Sequence, residues 1–184
     1  MTTFFKNIFA TAKALMLFAN IMSGIFIYIT LEPRLAPWVM NEQGGNPIHF
    51  SRKSTEHNIL ETYLIHLPYG TTPNLPGENT VPIELPHFKH KDVRVYNYLP
   101  RKAQNALKRC IRNRFVIDLW QDLHQFGYIG KRKQDLIYAW MAAHGISATE
   151  TNFFALQKIY QRKRQAYLQQ KYRENLPDFG HQKK

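Results

Sequence analysis

A single cysteine, Cys110, in 184 residues excludes an intrachain disulfide and every multi-thiolate zinc or iron–sulfur site. Lying among apolar neighbours in a helical pattern, it reads as a small buried hydrophobe rather than a nucleophile. Glycine-rich phosphate loops, a nucleophile elbow and carboxylate pairs at a catalytic spacing are also missing, so the chain reads as non-enzymatic and without a cofactor. Negative charge is scarce: 13 Asp and Glu stand against 25 Lys and Arg, for a formal net charge of +12. The first 31 residues hold no acid, and from Ala14 to Leu31 there is no charge of either sign.

What is present is unevenly distributed. The last 84 residues carry 17 Lys and Arg against 6 Asp and Glu, 17 − 6 = +11 of the total charge. A hydrophobic share of 44%, with 12 Phe and 10 Tyr, argues for a folded chain rather than a disordered one. The expected fold is mainly α, in three segments: a hydrophobic N-terminal helix in residues 1–40, a proline-rich extended middle in 41–100, and a basic helical domain in 101–184.

The uncharged run of 18 residues, 14–31, just reaches the length that spans a bilayer. It predicts a transmembrane helix, with a buried core helix or a cleaved targeting segment as alternatives. Membrane lipid is then the expected partner of residues 14–31, and single-pass membrane attachment the expected location. In the middle segment, five of the ten prolines fall between Pro68 and Pro86. The stretch Thr71 to Pro86 is accordingly expected to run extended, with neither a ladder nor a helix of any length. A short helix is predicted from Ser54 to Ile65, capped by Ser54 or Thr55. Residues 93–99 alternate Val93, Val95 and Leu99 with polar and aromatic residues, the pattern of a half-buried strand or an ordered arm. His87 and His90, with Glu84 and Asp92, have the side-chain types of a metal site. Pro86 argues against a helix presenting both histidines and no third ligand is placed, so no metal is expected.

Residues 101–124 contain neither glycine nor proline and predict a helix whose first half has Arg101, Lys108 and Arg112 on one arc, opposite Ala103, Ala106, Leu107 and Cys110. The second half reverses the faces, which implies a break near Arg112 to Phe115 or burial on most sides. Lys131, Arg132 and Lys133 open the next helix, where cations oppose the dipole and a phosphate would relieve them. His144 and Gly145 close that helix, and Ser147 with Glu150 has the spacing of a capping box opening a long last helix. A short glycine-containing turn between helices predicts a helix-turn-helix-like hairpin. Thr149, Thr151 and Asn152 would then face base edges, with Lys158, Arg162 and Arg164 on phosphates. Ala148, Ala155, Ile159 and Ala166 are the expected packing stripe of the last helix. The reading that follows is a membrane-tethered nucleic-acid-binding protein, DNA ahead of RNA. The alternative is a membrane-anchored accessory subunit of a large assembly, its basic helices on acidic subunits or lipid head groups.

Overall fold

The computed structural model describes residues 22–77, 79–126 and 132–174. Among them are five α-helices and a two-stranded sheet, in the order β1 (Met22–Thr30), α1 (Leu35–Glu42), α2 (Thr55–Tyr63), β2 (Thr80–Pro86), α3 (Arg101–Phe126), α4 (Lys133–Ala143) and α5 (Glu150–Glu174). The chain divides into two compact units, residues up to Arg114 and residues from Phe115 onward, with the division inside α3.

The expected N-terminal membrane helix is corrected by β1. The second half of the uncharged run is a strand, paired antiparallel with β2 through Ile27↔Ile83 and Ile29↔Val81. Residues 14–21 lie outside the described residues. From Ile25 to Thr30, β-branched residues alternate with Phe26 and Tyr28, a composition that suits a pleated surface better than a helix. Burial follows the alternation, since Ile27 and Ile29 are buried while Phe26 and Thr30 are exposed. No described helix is long and apolar enough to cross a membrane. The single-pass attachment expected from residues 14–31 is therefore not supported, and neither is an all-α fold. At the start of β1 the register shifts between Met22 and Phe26. Gly24 takes φ +67 there, a conformation open to glycine at little cost.

The proline-rich middle also differs from expectation, because Thr80–Pro86 joins the sheet. β2 carries Pro82 without losing a bond to β1. The Pro82 carbonyl accepts from Ile48 N–H at 2.9 Å, and Glu84 N–H donates to the Ile48 carbonyl at 3.0 Å. Pro82's missing donor thus falls on the Ile48 side, where only one bridge forms. Residues 93–99 form no strand beyond the Ile65↔Tyr98 bridge. Asn74 anchors the proline strap by accepting from Leu99 N–H at 2.8 Å.

α2 starts where expected, with the Ser54 hydroxyl accepting from His57 N–H at 3.1 Å. Lys91 Nζ donates to the Thr62 and Leu64 carbonyls at 3.1 and 2.9 Å, satisfying acceptors that the end of α2 leaves open. The core of the first unit gathers Ile27, Ile29, Trp38, Ile48, Leu60, Leu64, Ile83, Leu85, Leu107 and Ile111, all almost fully buried.

α3 does not break. Its buried residues, Ala103, Leu107, Ile111, Phe115, Leu119 and Leu123, recur every fourth position. At about 100° per residue each step turns the stripe by about 40°. The reversal of faces read from the sequence is this slow winding along one continuous helix. In the second unit Phe115, Leu119 and Leu123 share a core with Ile137, Trp140 and Met141 of α4 and Phe153, Leu156 and Tyr160 of α5.

Truncating Ile83, which is fully buried in β2, is expected to lower the unfolding free energy by about 2–5 kcal/mol. Phe26→Ser on the exposed side of β1 should stay within about 0.5 kcal/mol. Urea denaturation followed by circular dichroism distinguishes the two, and equal losses would contradict the alternation in the sheet.

Candidate nucleic-acid interface

On the regular helix α3, Arg101, Lys108 and Arg112 lie within about 40° of one another around the axis. Lys102 and Arg109, which the sequence reading left out, continue this face on one side. No acid occurs from Arg101 to Ile117. Neighbouring elements decide which cations remain available. Arg112 pairs with Glu32 at 3.0 Å, but its side chain is more than half exposed and that of Glu32 about a third, so the pair holds weakly. Among the described residues no carboxylate lies within ion-pair distance of Arg101, Lys102, Lys108 or Arg109.

Two clefts flank this face and share Arg109. One, of about 460 Å³, is bordered by Leu31, Glu32 and Leu35 with Lys108 and Arg112. The other, of about 570 Å³, lies between α2 and α3, with Lys102 and Arg109 on α3 and Thr55 and Tyr63 on α2. Ala103, Ala106 and Cys110 also line it.

A polar network beneath the α2–α3 cleft fixes these elements. Glu56, in the first turn of α2, is buried and accepts from Arg114 at 3.3 Å. The Arg114 guanidinium lies 5.4 Å from the Trp38 ring centre, and with the Gln43 amide in its hydrogen-bonding orientation it donates to Gln43 Oε1 at 2.7 Å. Charge, aromatic face and amide together offset the desolvation of the pair. Burial, followed by the negative charge and hydrogen bond of Glu56, raises the Cys110 thiol above its ordinary pKa. That makes it a poor thiolate at neutral pH, in line with the non-nucleophilic reading, though the residue is half-buried rather than enclosed.

His57 follows Glu56 into the interior. Among the described residues neither ring nitrogen has a hydrogen-bond partner, Phe88 meets the ring edge-on, and Glu61 is 3.9 Å from Nδ1. Desolvation lowers its pKa against the opposing pull of Glu61. His87 and His90 are exposed loop residues, and among the described residues no cluster of His, Cys, Asp or Glu could hold a metal.

In the second unit, Lys131 lies outside the described residues. Arg132 is the residue before α4, without a side-chain cap, and Asp135 supplies an acid in the first turn. Lys133 is exposed. The hairpin turn uses Gly145 at φ +66 and buries Ile146. The Ser147–Glu150 box does not form. α5 begins at Glu150, where the Thr149 hydroxyl accepts from Asn152 N–H at 3.3 Å. Asn152 Nδ2 donates to the Ser147 carbonyl at 3.0 Å, so this amide holds the turn rather than standing ready for adenine. Ser147 is too far upstream to cap, because two residues of turn intervene between it and the helix.

α5 packs through Phe153, Leu156 and Tyr160. The expected alanine stripe is not its packing face, since Ala148 and Ala166 are exposed. Large side chains bury more area than alanine and therefore set the helix rotation. Thr151, Lys158 and Arg162 then fall on one exposed stripe with Gln165, Gln169 and Arg173. Arg164 projects elsewhere, on the side of Tyr167. There Trp120 stacks on His124 at 4.5 Å and meets Tyr160 and Tyr167 at 5.6 Å each. Lys171 Nζ lies 5.2 Å from the Tyr167 ring centre. The spacing of Trp120 and His124 one turn apart is the signal that could have found this cluster. Comparison with known proteins finds no matching family model, no matching curated protein and no matching solved structure.

Arg114→Met strands the buried Glu56 carboxylate and should cost about 3 kcal/mol in urea unfolding, whereas Arg112→Met should cost less than about 1 kcal/mol. His57 resists protonation in the folded chain more than in the unfolded one. Its contribution is therefore complete above the unfolded value of 6.5 and is lost as pH falls from there toward the lower folded pKa. Thermal melts of wild type and His57→Phe should converge or cross as pH falls through that window, with the variant showing the flatter profile.

Proposed function

We propose that this chain is a non-enzymatic nucleic-acid-binding protein that contacts phosphates mainly through the exposed face of α3. One observation carries the reading: Arg101, Lys102, Lys108 and Arg109 project together, without carboxylate partners among the described residues, from a helix segment that lacks acids. Cations left unpaired at such density keep a strong positive potential, and a polyanion releases its condensed counterions on meeting it. Thr151, Lys158 and Arg162 on α5 form a second, separate phosphate-contacting stripe. Sequence preference is weak in this reading, because the Asn152 amide is engaged at the turn. The α4–α5 hairpin favours DNA over RNA.

A second reading, docking on an acidic protein within a larger assembly, has its own support. Leu67, Tyr69 and Leu75, between α2 and β2, are exposed, Tyr69 completely, and exposed aromatic and apolar side chains suit a protein partner.

Fluorescence anisotropy with a labelled oligonucleotide tests the first reading. With four α3 cations engaged, affinity should fall roughly a hundredfold between about 50 and 200 mM salt. Arg101→Glu combined with Lys108→Glu should weaken binding at least about tenfold and flatten that salt dependence. Salt-insensitive binding, or none to DNA or RNA, would favour the acidic-protein reading.

A further inference from the structure

We propose that the cleft between α2 and α3 receives one unpaired nucleotide of a single strand, its phosphate on Lys102 and Arg109 and its base against Tyr63. The inference rests on the nucleic-acid reading above and names the form of the polymer. At about 570 Å³ the cleft is of the size that holds a small ligand, and a duplex, whose bases are paired and stacked inside, cannot enter it.

The chemistry is arranged along α3. Lys102 and Arg109 are two helical turns apart on the same side, about 10 Å along the axis at 1.5 Å per residue. Both are exposed. Ala103 and Ala106 give the cleft an apolar wall without bulk. On α2, Tyr63 is half exposed and lines the same cleft, an aromatic of the kind on which unpaired bases stack. Among the described residues no carboxylate lines the cleft. Glu56, which lies against the Cys110 thiol, is paired with Arg114. An anionic sugar–phosphate with a flat apolar base therefore meets complementary charge and complementary surface in one place.

Cys110 is the chain's sole thiol and lines this same cleft, which makes it a built-in reporter. The full-length protein is treated with N-ethylmaleimide at about pH 8.5, where a thiol with a raised pKa still reacts. The additions are a single-stranded thymidine oligomer of about ten nucleotides, a blunt DNA duplex of that length, or thymidine 5′-monophosphate, with binding followed in parallel by anisotropy. The single strand should slow alkylation about tenfold and the duplex less than about twofold. Tyr63→Ala should lower single-strand affinity about tenfold, with duplex affinity unchanged and Tyr63→Phe close to wild type. Equal protection by the duplex would overturn the proposal. So would a single strand that binds without slowing alkylation, and in that case the electrostatic reading survives while the cleft does not. Protection by the mononucleotide alone would overturn the strand and leave a nucleotide site. Absence of binding by any oligonucleotide would remove both readings together.

Discussion

Along α3 a buried residue returns every fourth position, from Ala103 to Leu123, and most of the molecule is arranged by that repeat. Because four residues overshoot one turn by about 40°, the stripe winds around the helix instead of staying on one face. Arg101 and Leu119 project in nearly the same direction from the axis, yet the first is exposed and the second fully buried. A helix with a fixed apolar face would serve one core. This one gives Ala103, Leu107 and Ile111 to the first unit and Phe115, Leu119 and Leu123 to the second.

The same winding determines the electrostatics. In its first half the helix turns its small and branched residues inward, and five of its six cations are left along the outer arc. The sixth, Arg114, is on the inner side and is matched by Glu56, Trp38 and Gln43. Without that match a guanidinium at the edge of the core would carry a large desolvation cost. The proposed binding face is therefore what remains after the core and its ion pairs have taken their residues. Four cations remain unmatched by carboxylates among the described residues, and the α2–α3 cleft beside them is bounded by the two helices that the Glu56–Arg114 contact joins.

In the second unit side-chain volume overrides local pattern. The spacing of Ser147 and Glu150 is that of a capping box, and the alanines of α5 have the spacing of a packing stripe. Both signals are local and weak. Burial of Phe153, Leu156 and Tyr160 sets the start and the rotation of α5, so Thr149 becomes the cap and Asn152 turns back to the Ser147 carbonyl. Thr151, Lys158 and Arg162 share an exposed stripe as a result, while Arg164 lies off it and Lys171 falls beside the Tyr167 ring.

Local chemistry sufficed for α2 and its Ser54 cap, for the basic arc of Arg101, Lys108 and Arg112, and for the helical hairpin closed by Gly145. Each of these rests on neighbours within a few turns, where spacing and residue type are enough. The apolar run at 14–31 was legible only as hydrophobic. Whether Met22–Thr30 forms a helix or a strand depends on β2, fifty or more residues away and carrying two prolines, and a window along the chain contains no record of that partner. The alternation of isoleucine with aromatics from Ile25 to Ile29 is the local mark of the strand, while the length and lack of charge of the run are those of a helix. Composition therefore settled how much positive charge the chain carries and on which helices. Tertiary packing decided which of those charges are cancelled and which stay open, because pairing is a matter of distance in space.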